Sequence, residues 1–204
     1  MKIIISLVVG LLASCASAPR QELLSSQRIT VQAFSWVPPA GAGWFKDRRV
    51  GVDRSLLIKA HEGGDPYENY VIDARILTAP LFQSNEDFLR AAQSGKSIQE
   101  NASYRVLAHA MEGHVVHGEY CALYKVTVED RSNTPSLGFG VHRRLGYMLM
   151  DRIELSCRHP QDKTKILDIA FSLSYYPGEA DQELMSKAMS VVNSIQFLKT
   201  SVDR

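Results

Sequence analysis

Tyr120-Cys121-Ala122-Leu123-Tyr124-Lys125-Val126-Thr127-Val128 is the stretch whose pattern decides the fold. Tyr120, Ala122, Tyr124, Val126 and Val128 share one side of a chain with a period of two, and Cys121 and Leu123 share the other. Aromatic and β-branched residues in that alternation describe a strand with apolar groups on both faces. Such a strand needs backbone partners, so the fold depends on which other segments provide them.

On the N-terminal side the chain is rich in β-formers from Tyr104, with a break around Glu112-Gly113 or His117-Gly118. On the C-terminal side, residues 129 to 144 are polar and glycine-containing and read as a long connection. Tyr147 to Cys157 and Ile166 to Tyr175 follow as strands, the second with Leu167, Ile169, Phe171 and Leu173 on one face. Farther upstream, Leu56 to Ala60 and Tyr70 to Thr78 read as a hairpin turning at Glu62-Gly63-Gly64-Asp65-Pro66. A first strand is expected at Arg28 to Phe34, followed by an aromatic-flanked loop at Val37-Pro38-Pro39-Ala40-Gly41-Ala42-Gly43-Trp44-Phe45.

Two helices complete the pattern. Ser84 is placed to cap a short one, with Asp87 three residues on, Phe88, Leu89, Ala91 and Ala92 on one side, and Gly95 just past its end. From Glu179 to Asn193 the steps Leu184, Met185, Ala188, Met189, Val192 and on to Ile195 predict an amphipathic helix with acidic residues in its first turns. Ile195-Gln196-Phe197-Leu198 is short enough for an edge strand. The expected class is therefore α+β: a mostly antiparallel sheet with one short helix and one long C-terminal amphipathic helix.

The chain's start carries a different message. Lys2 is followed by an apolar run from Ile3 to Ala13, too short to span a bilayer that needs roughly 20 helical residues, and so reads as a removable signal. Leu12-Ala13-Ser14-Cys15 resembles the lipobox of bacterial lipoproteins. The resemblance implies cleavage after Ser14 and a diacylglycerol on Cys15, with Ala16, where an aspartate favours the inner membrane, directing the protein to the outer membrane. An ordinary signal cleaved after Ala16 or Ala18 is the alternative. Several acyl chains at about 0.8 kcal/mol per buried CH₂ hold a protein on a membrane where one does not. On this reading residues 1–14 are removed, 15–27 form a small polar tether, 28–198 form a single domain and 199–204 a tail.

Once Cys15 is given to lipid, the chain's three cysteines leave Cys121 and Cys157. In an oxidising compartment the pair reads as a disulfide; the alternative is two buried thiols. If their strands pair antiparallel across the polar connection, the cysteines face each other at its far end.

Charge excludes one class of partner. With 23 Lys and Arg, 22 Asp and Glu, and a net charge of +1, the chain offers nucleic acid no electrostatic footprint. An apolar share of 45% with 22% charged residues is that of an ordinary globular domain. No second apolar stretch reaches spanning length, and nothing calls for a cofactor.

His109, His114, His117 and His142, with Glu112 and Glu119, invite a metal test. On a strand, His114 and His117 point to opposite faces, so no metal set is assigned. Ser94-Gly95-Lys96-Ser97 lacks the first glycine of a phosphate loop, and Gly138-Phe139-Gly140 lacks the third glycine of a dinucleotide site. No Gly-x-Ser-x-Gly elbow is present, and no catalytic residue is assigned. Lys46, Arg48, Arg49 and Arg54, with Arg143 and Arg144, form a candidate anion-binding patch, interleaved with Asp47 and Asp53.

The order of elements, closing on a helix and Ser194-Ile195-Gln196-Phe197, is similar to the α/β/α sandwich of the PsbP-like family; the connection at 129 to 144 departs from it. No functional residue transfers. The expected function is a membrane-anchored, non-enzymatic envelope module facing the periplasm, bound to the membrane through Cys15 and to an envelope protein or polymer. Its rival is an envelope hydrolase or transferase using residues around His109 to Glu119.

Overall fold

The computed structural model describes residues 20–23, 27–47, 50–60, 69–95, 103–131 and 147–199. Cys15, Arg48, Arg49, His142, Arg143, Arg144, the turn at 62–66 and most of the 129–144 connection lie outside them.

The alternating stretch is the middle of a strand. In chain order the strands are β1 (Arg20–Glu22), β2 (Ile29–Val31), β3 (Phe34–Trp36), β4 (Phe45–Asp47), β5 (Arg54–Ala60) and β6 (Asn69–Thr78). After helix α1 (Asn85–Gly95) come β7 (Tyr104–Val116), β8 (Glu119–Asp130), β9 (Met148–Arg158) and β10 (Lys165–Tyr175), then α2 (Leu184–Asn193) and β11 (Gln196–Phe197). Eight strands form one sheet in the order β1-β4-β5-β6-β10-β9-β8-β7, and β11-β3-β2 form a second, all among the described residues. Neighbouring strands run antiparallel throughout both sheets. The expected α+β class with a mostly antiparallel sheet is what the chain adopts.

The period of two places each strand's residues between two layers. Leu167, Ile169, Phe171 and Leu173 of β10 meet Leu184, Ala188, Val191 and Val192 of α2, with Ile29, Val31, Phe34 and Trp36 of the small sheet in the same core. The opposite face carries α1 at one end, where Phe88 packs with Ala122 and Ile166. Beyond it Tyr124, Val126 and Val128 form a smaller cluster against Tyr104, Val106, Met111 and Met150. This explains why both faces of β8 are apolar.

Cys121 stands directly opposite Cys157 in the β8–β9 register, and the two are bonded, with Cα atoms 4.4 Å apart. Both are fully buried. Ser84 Oγ accepts the Asp87 amide at 3.1 Å, the cap expected for α1, although the helix includes Gly95.

Three boundaries differ from the sequence reading. Arg28 to Phe34 is the arm of a hairpin, because Gln32 takes φ +47 and turns the chain between β2 and β3. The region read as tether contains β1, paired with β4, and a buried Leu23 whose amide donates to Trp44 O at 2.8 Å. Helix α2 begins at Leu184, since Pro177 and Gly178 with φ +93 turn the chain and the acidic Glu179, Asp181 and Glu183 precede the helix. Its buried face also takes in Val191 and leaves Met185 40% exposed.

Candidate functional site

The segment Glu179 to Gln182, between β10 and α2, forms one wall of a cleft of about 500 Å³. Lys59 of β5, Tyr70 of β6 and Lys187 of α2 complete it. Lys59 and Tyr70 are direct cross-strand partners, so the pleat points both side chains to the same face of the sheet. A recess of about 40 Å³ continues inward between Pro39, Ala40, Trp44 and Phe171.

The recess has an aromatic wall. Trp44, Tyr70 and Phe171 stand with centroids 6.5, 6.3 and 6.0 Å apart, tilted against one another in the range of favourable ring contacts. Trp44 Nε1 donates to Pro39 O at 3.2 Å and closes the proline-glycine loop. Gly41 at φ +115 and Gly43 at φ +85 let that loop lie on the Lys59 side chain; a Cβ on Gly41 would stand 3.4 Å from Lys59 Nζ.

Asp181 organises the polar wall. Its Oδ2 accepts from Tyr70 Oη at 2.8 Å and from Lys187 Nζ at 2.7 Å, while Oδ1 accepts the Glu183 amide at 2.9 Å. Lys187 Nζ also lies 5.3 Å from the Tyr70 ring centroid, a cation–π distance. Burial works to raise the Asp181 carboxyl, but bonds from Lys187, the Glu183 amide and Tyr70 hold it below the usual range. Burial works to lower Lys187, and its bond to Asp181 raises it instead. Tyr70 is raised by burial first and by Asp181 second. The triad is therefore a carboxylate, an ammonium and a neutral phenol over the whole ordinary pH range.

Across the ridge of Ala180, Asp181 and Gln182 lies a shallower groove of about 320 Å³, with Lys125, Thr127, Asp151, Leu184 and Met185 among its lining residues. Asp151 accepts from Thr127 Oγ1 at 2.6 Å and from Tyr175 Oη at 2.8 Å. Burial, then Asp151, pushes the Tyr175 phenol far up.

Of the residues singled out from sequence, Lys46 and Arg54 line one shallow pocket of about 410 Å³ with Asp47, apart from this cleft, whereas the histidines are dispersed. The β7–β8 register places His109 opposite Val126 on the α1 side of the sheet and His114 opposite Cys121 on the other. His117 occupies the turn, at φ +49. Glu112 pairs with Lys125 at 2.7 Å and Glu119 with Lys163 at 2.7 Å. Among the described residues no group of three or more His, Cys, Asp or Glu is placed to hold a metal ion. Arg54 makes a two-pronged contact with Asp73, both bonds 2.8 Å, and Arg48 and Arg49 lie outside the described residues.

Two other polar clusters had no sequence signal. Asp168, 2% exposed, accepts from Arg75 Nη2 at 2.7 Å and from Ser156 Oγ at 2.7 Å on the α1 side of the sheet. His159, fully buried, accepts the amides of Gln161 and Asp162 at Nδ1 and reaches Leu198 O through Nε2 at 2.9 Å. Phe34 and Phe197 meet its ring edge-on, so His159 ties β11 to the end of β9. The residues of the cleft come from positions 59, 70, 181 and 187; only the aromatic ends of the proline-glycine loop were a visible hint.

No protein-family model matches the chain, and no curated protein matches it in sequence. Solved structures are similar in fold. A variant of the protein Mog1 is 11% identical over 88% of this chain and 99% of its own, with a TM-score of 0.48. The Ran-binding protein Mog1p of Saccharomyces cerevisiae is 12% identical over 91% of this chain and 98% of its own, at 0.47. Cyanobacterial PsbP from Synechocystis is 13% identical over 93% of this chain and 98% of its own, at 0.41.

Proposed function

We propose that this chain is a membrane-anchored envelope lipoprotein, held through lipid on Cys15 at the outer membrane and facing the periplasm, whose domain is a non-enzymatic binding module. The reading of the address rests on Leu12-Ala13-Ser14-Cys15. The reading of the module rests on one observation: the cleft of Lys59, Tyr70, Asp181 and Lys187, where polar groups from three elements converge beside an aromatic recess. The rival hydrolase or transferase needs His109, Glu112, His114 and Glu119 to converge on a reacting atom; the pleat turns His109 away from the other three, and Glu112 and Glu119 are each held by a lysine, Lys125 and Lys163.

The test has two arms. Cys15→Ala is expected to accumulate unprocessed precursor without lipid label, and normal maturation with labelling would refute the anchor. A photo-crosslinker at the exposed cleft residue Gln182 is expected to capture an envelope component that the same group at Val52 does not. Loss of a hydrolytic or transfer activity in Glu112→Gln or His114→Ala chains would restore the rival.

A further inference from the structure

The charges of the cleft define what it can hold. Lys59 and Lys187 face Glu179 and Asp181, so the formal charges cancel within the wall itself. A phosphate or a strongly basic peptide would have to displace an existing partner, most directly the 2.7 Å contact between Lys187 and Asp181. A neutral ligand with groups that both donate and accept has no such obstacle.

We infer that the cleft is a saccharide site, which takes a neutral or N-acetylated sugar chain of the envelope. The inference rests on the binding-module reading and adds the chemical class of the ligand. Two features carry it. First, Tyr70 Oη, Asp181 Oδ2 and Lys187 Nζ form a row of polar atoms at hydrogen-bond spacing, 2.8 and 2.7 Å. Adjacent hydroxyls on a sugar ring have the same kind of spacing, and each can accept from an ammonium while donating to a carboxylate. Secondly, Gln182 on the same wall adds an amide that both donates and accepts. Trp44, Tyr70 and Phe171 are buried behind this wall, around a recess of about 40 Å³ that is too small for a sugar ring, so the ligand rests on the polar wall of the larger cleft. An extended peptide seeks an unpaired strand edge, and the two strand residues of the cleft, Lys59 and Tyr70, sit on strands paired with each other.

The experiment titrates the full chain in detergent with N,N′-diacetylchitobiose and follows the fluorescence of Trp44, with Trp44→Phe as the silent control. Saturable binding is expected below about 10 mM, the range of a small polar ligand with a few good contacts. Tyr70→Phe and Lys187→Met are each expected to weaken it about tenfold, the loss of one hydrogen bond to a charged or buried group, while Val52→Ala leaves it unchanged. Because the wall is neutral overall, added salt and inorganic phosphate are expected to leave the affinity within about twofold. Absence of saturation, indifference to both cleft variants, or competition by phosphate would each overturn the proposal. Capture of an extended peptide at Gln182 with the sugar silent would overturn the ligand class and leave the binding module standing.

Discussion

Breaking the bond between Cys121 and Cys157 is the perturbation whose magnitude follows most directly from the structure. The bond closes a loop with a sequence separation of 36. In the chain-entropy account, a loop of that size removes about 4 kcal/mol of freedom from the unfolded chain at 25 °C. The folded state offers no offsetting relief, because the two residues remain opposite each other in the β8–β9 ladder whether or not the sulfurs are joined. For a domain of this size each kcal/mol is worth about 2–4 °C, so reduction should lower the melting temperature by about 8–16 °C. The assay is reversible urea and thermal unfolding of oxidised and reduced chain, with mass mapping to show which thiols are free. The urea m-value should rise, since the unlinked unfolded chain exposes more surface. A reduced chain with both thiols alkylated after unfolding and a melting temperature within about 2 °C of the oxidised form would refute the reasoning.

The remaining predictions concern single side chains. Gly113→Ala puts a Cβ 2.2 Å from Tyr120 Oη; Tyr120 must swing off the cluster around Phe88, costing about 1–2 kcal/mol in urea unfolding. Pairing it with Tyr120→Ala should cost less than the two separate losses, and strict additivity would exclude the clash. Arg75→Met strands the buried Asp168 carboxylate, and because Arg75 itself is 45% exposed the loss should be about 2 kcal/mol, recovered in part by Asp168→Asn. Stability should fall at both ends of the pH scale. Asp181 lies below its ordinary value, so its contribution is present above about pH 4 and is lost as pH falls through the folded value. Lys187 and Tyr70 lie above theirs, so their contributions are present below about pH 10 and are lost as pH rises beyond it. Asp181→Asn should flatten the acid limb in a urea-midpoint series, and an unchanged acid limb would argue against the triad.

Those charges belong to the part of the molecule that sequence conceals. The strands β8, β9 and β10 were legible because alternation is local and the cysteine register follows from it. Ser84 was legible as a cap because the amide that donates to it, Asp87 N–H, lies three residues away. The turn at Gln32 was not, since a non-glycine residue in the left-handed region carries no signature. Nor was β1, whose Arg20-Gln21-Glu22 contributes backbone pairing without an apolar pattern. The start of α2 was misplaced because acidic residues suit a first turn and a preceding loop equally well; Asp181 is used in the loop, where it accepts the Glu183 amide. The cleft was invisible for a simpler reason. Tyr70 and Asp181 are 111 residues apart, and only the sheet order brings them to 2.8 Å.

Strand β1 gives the domain a mechanical property. It is an outermost strand of the large sheet and makes three residue pairs with β4, from Arg20 opposite Asp47 to Glu22 opposite Phe45. Tension applied across the strand direction through the residues before Arg20 loads those pairs one after another, as in unzipping, and not all at once as in shear. Release of the three pairs would stop at the buried Leu23, held by its bond to Trp44 O, and free about 10 Å of extended chain, while β5 to β10 keep their pairings. Pulling experiments should therefore show a short, low-force extension well before the main rupture. An engineered disulfide across the β1–β4 pair, made in a chain carrying both Glu22→Cys and Phe45→Cys, would abolish that early step; a single rupture without it in the unmodified chain would count against the reasoning. On the anchored reading proposed above, the first strand would serve as a reversible extension of reach that leaves the rest of the sheet unstrained.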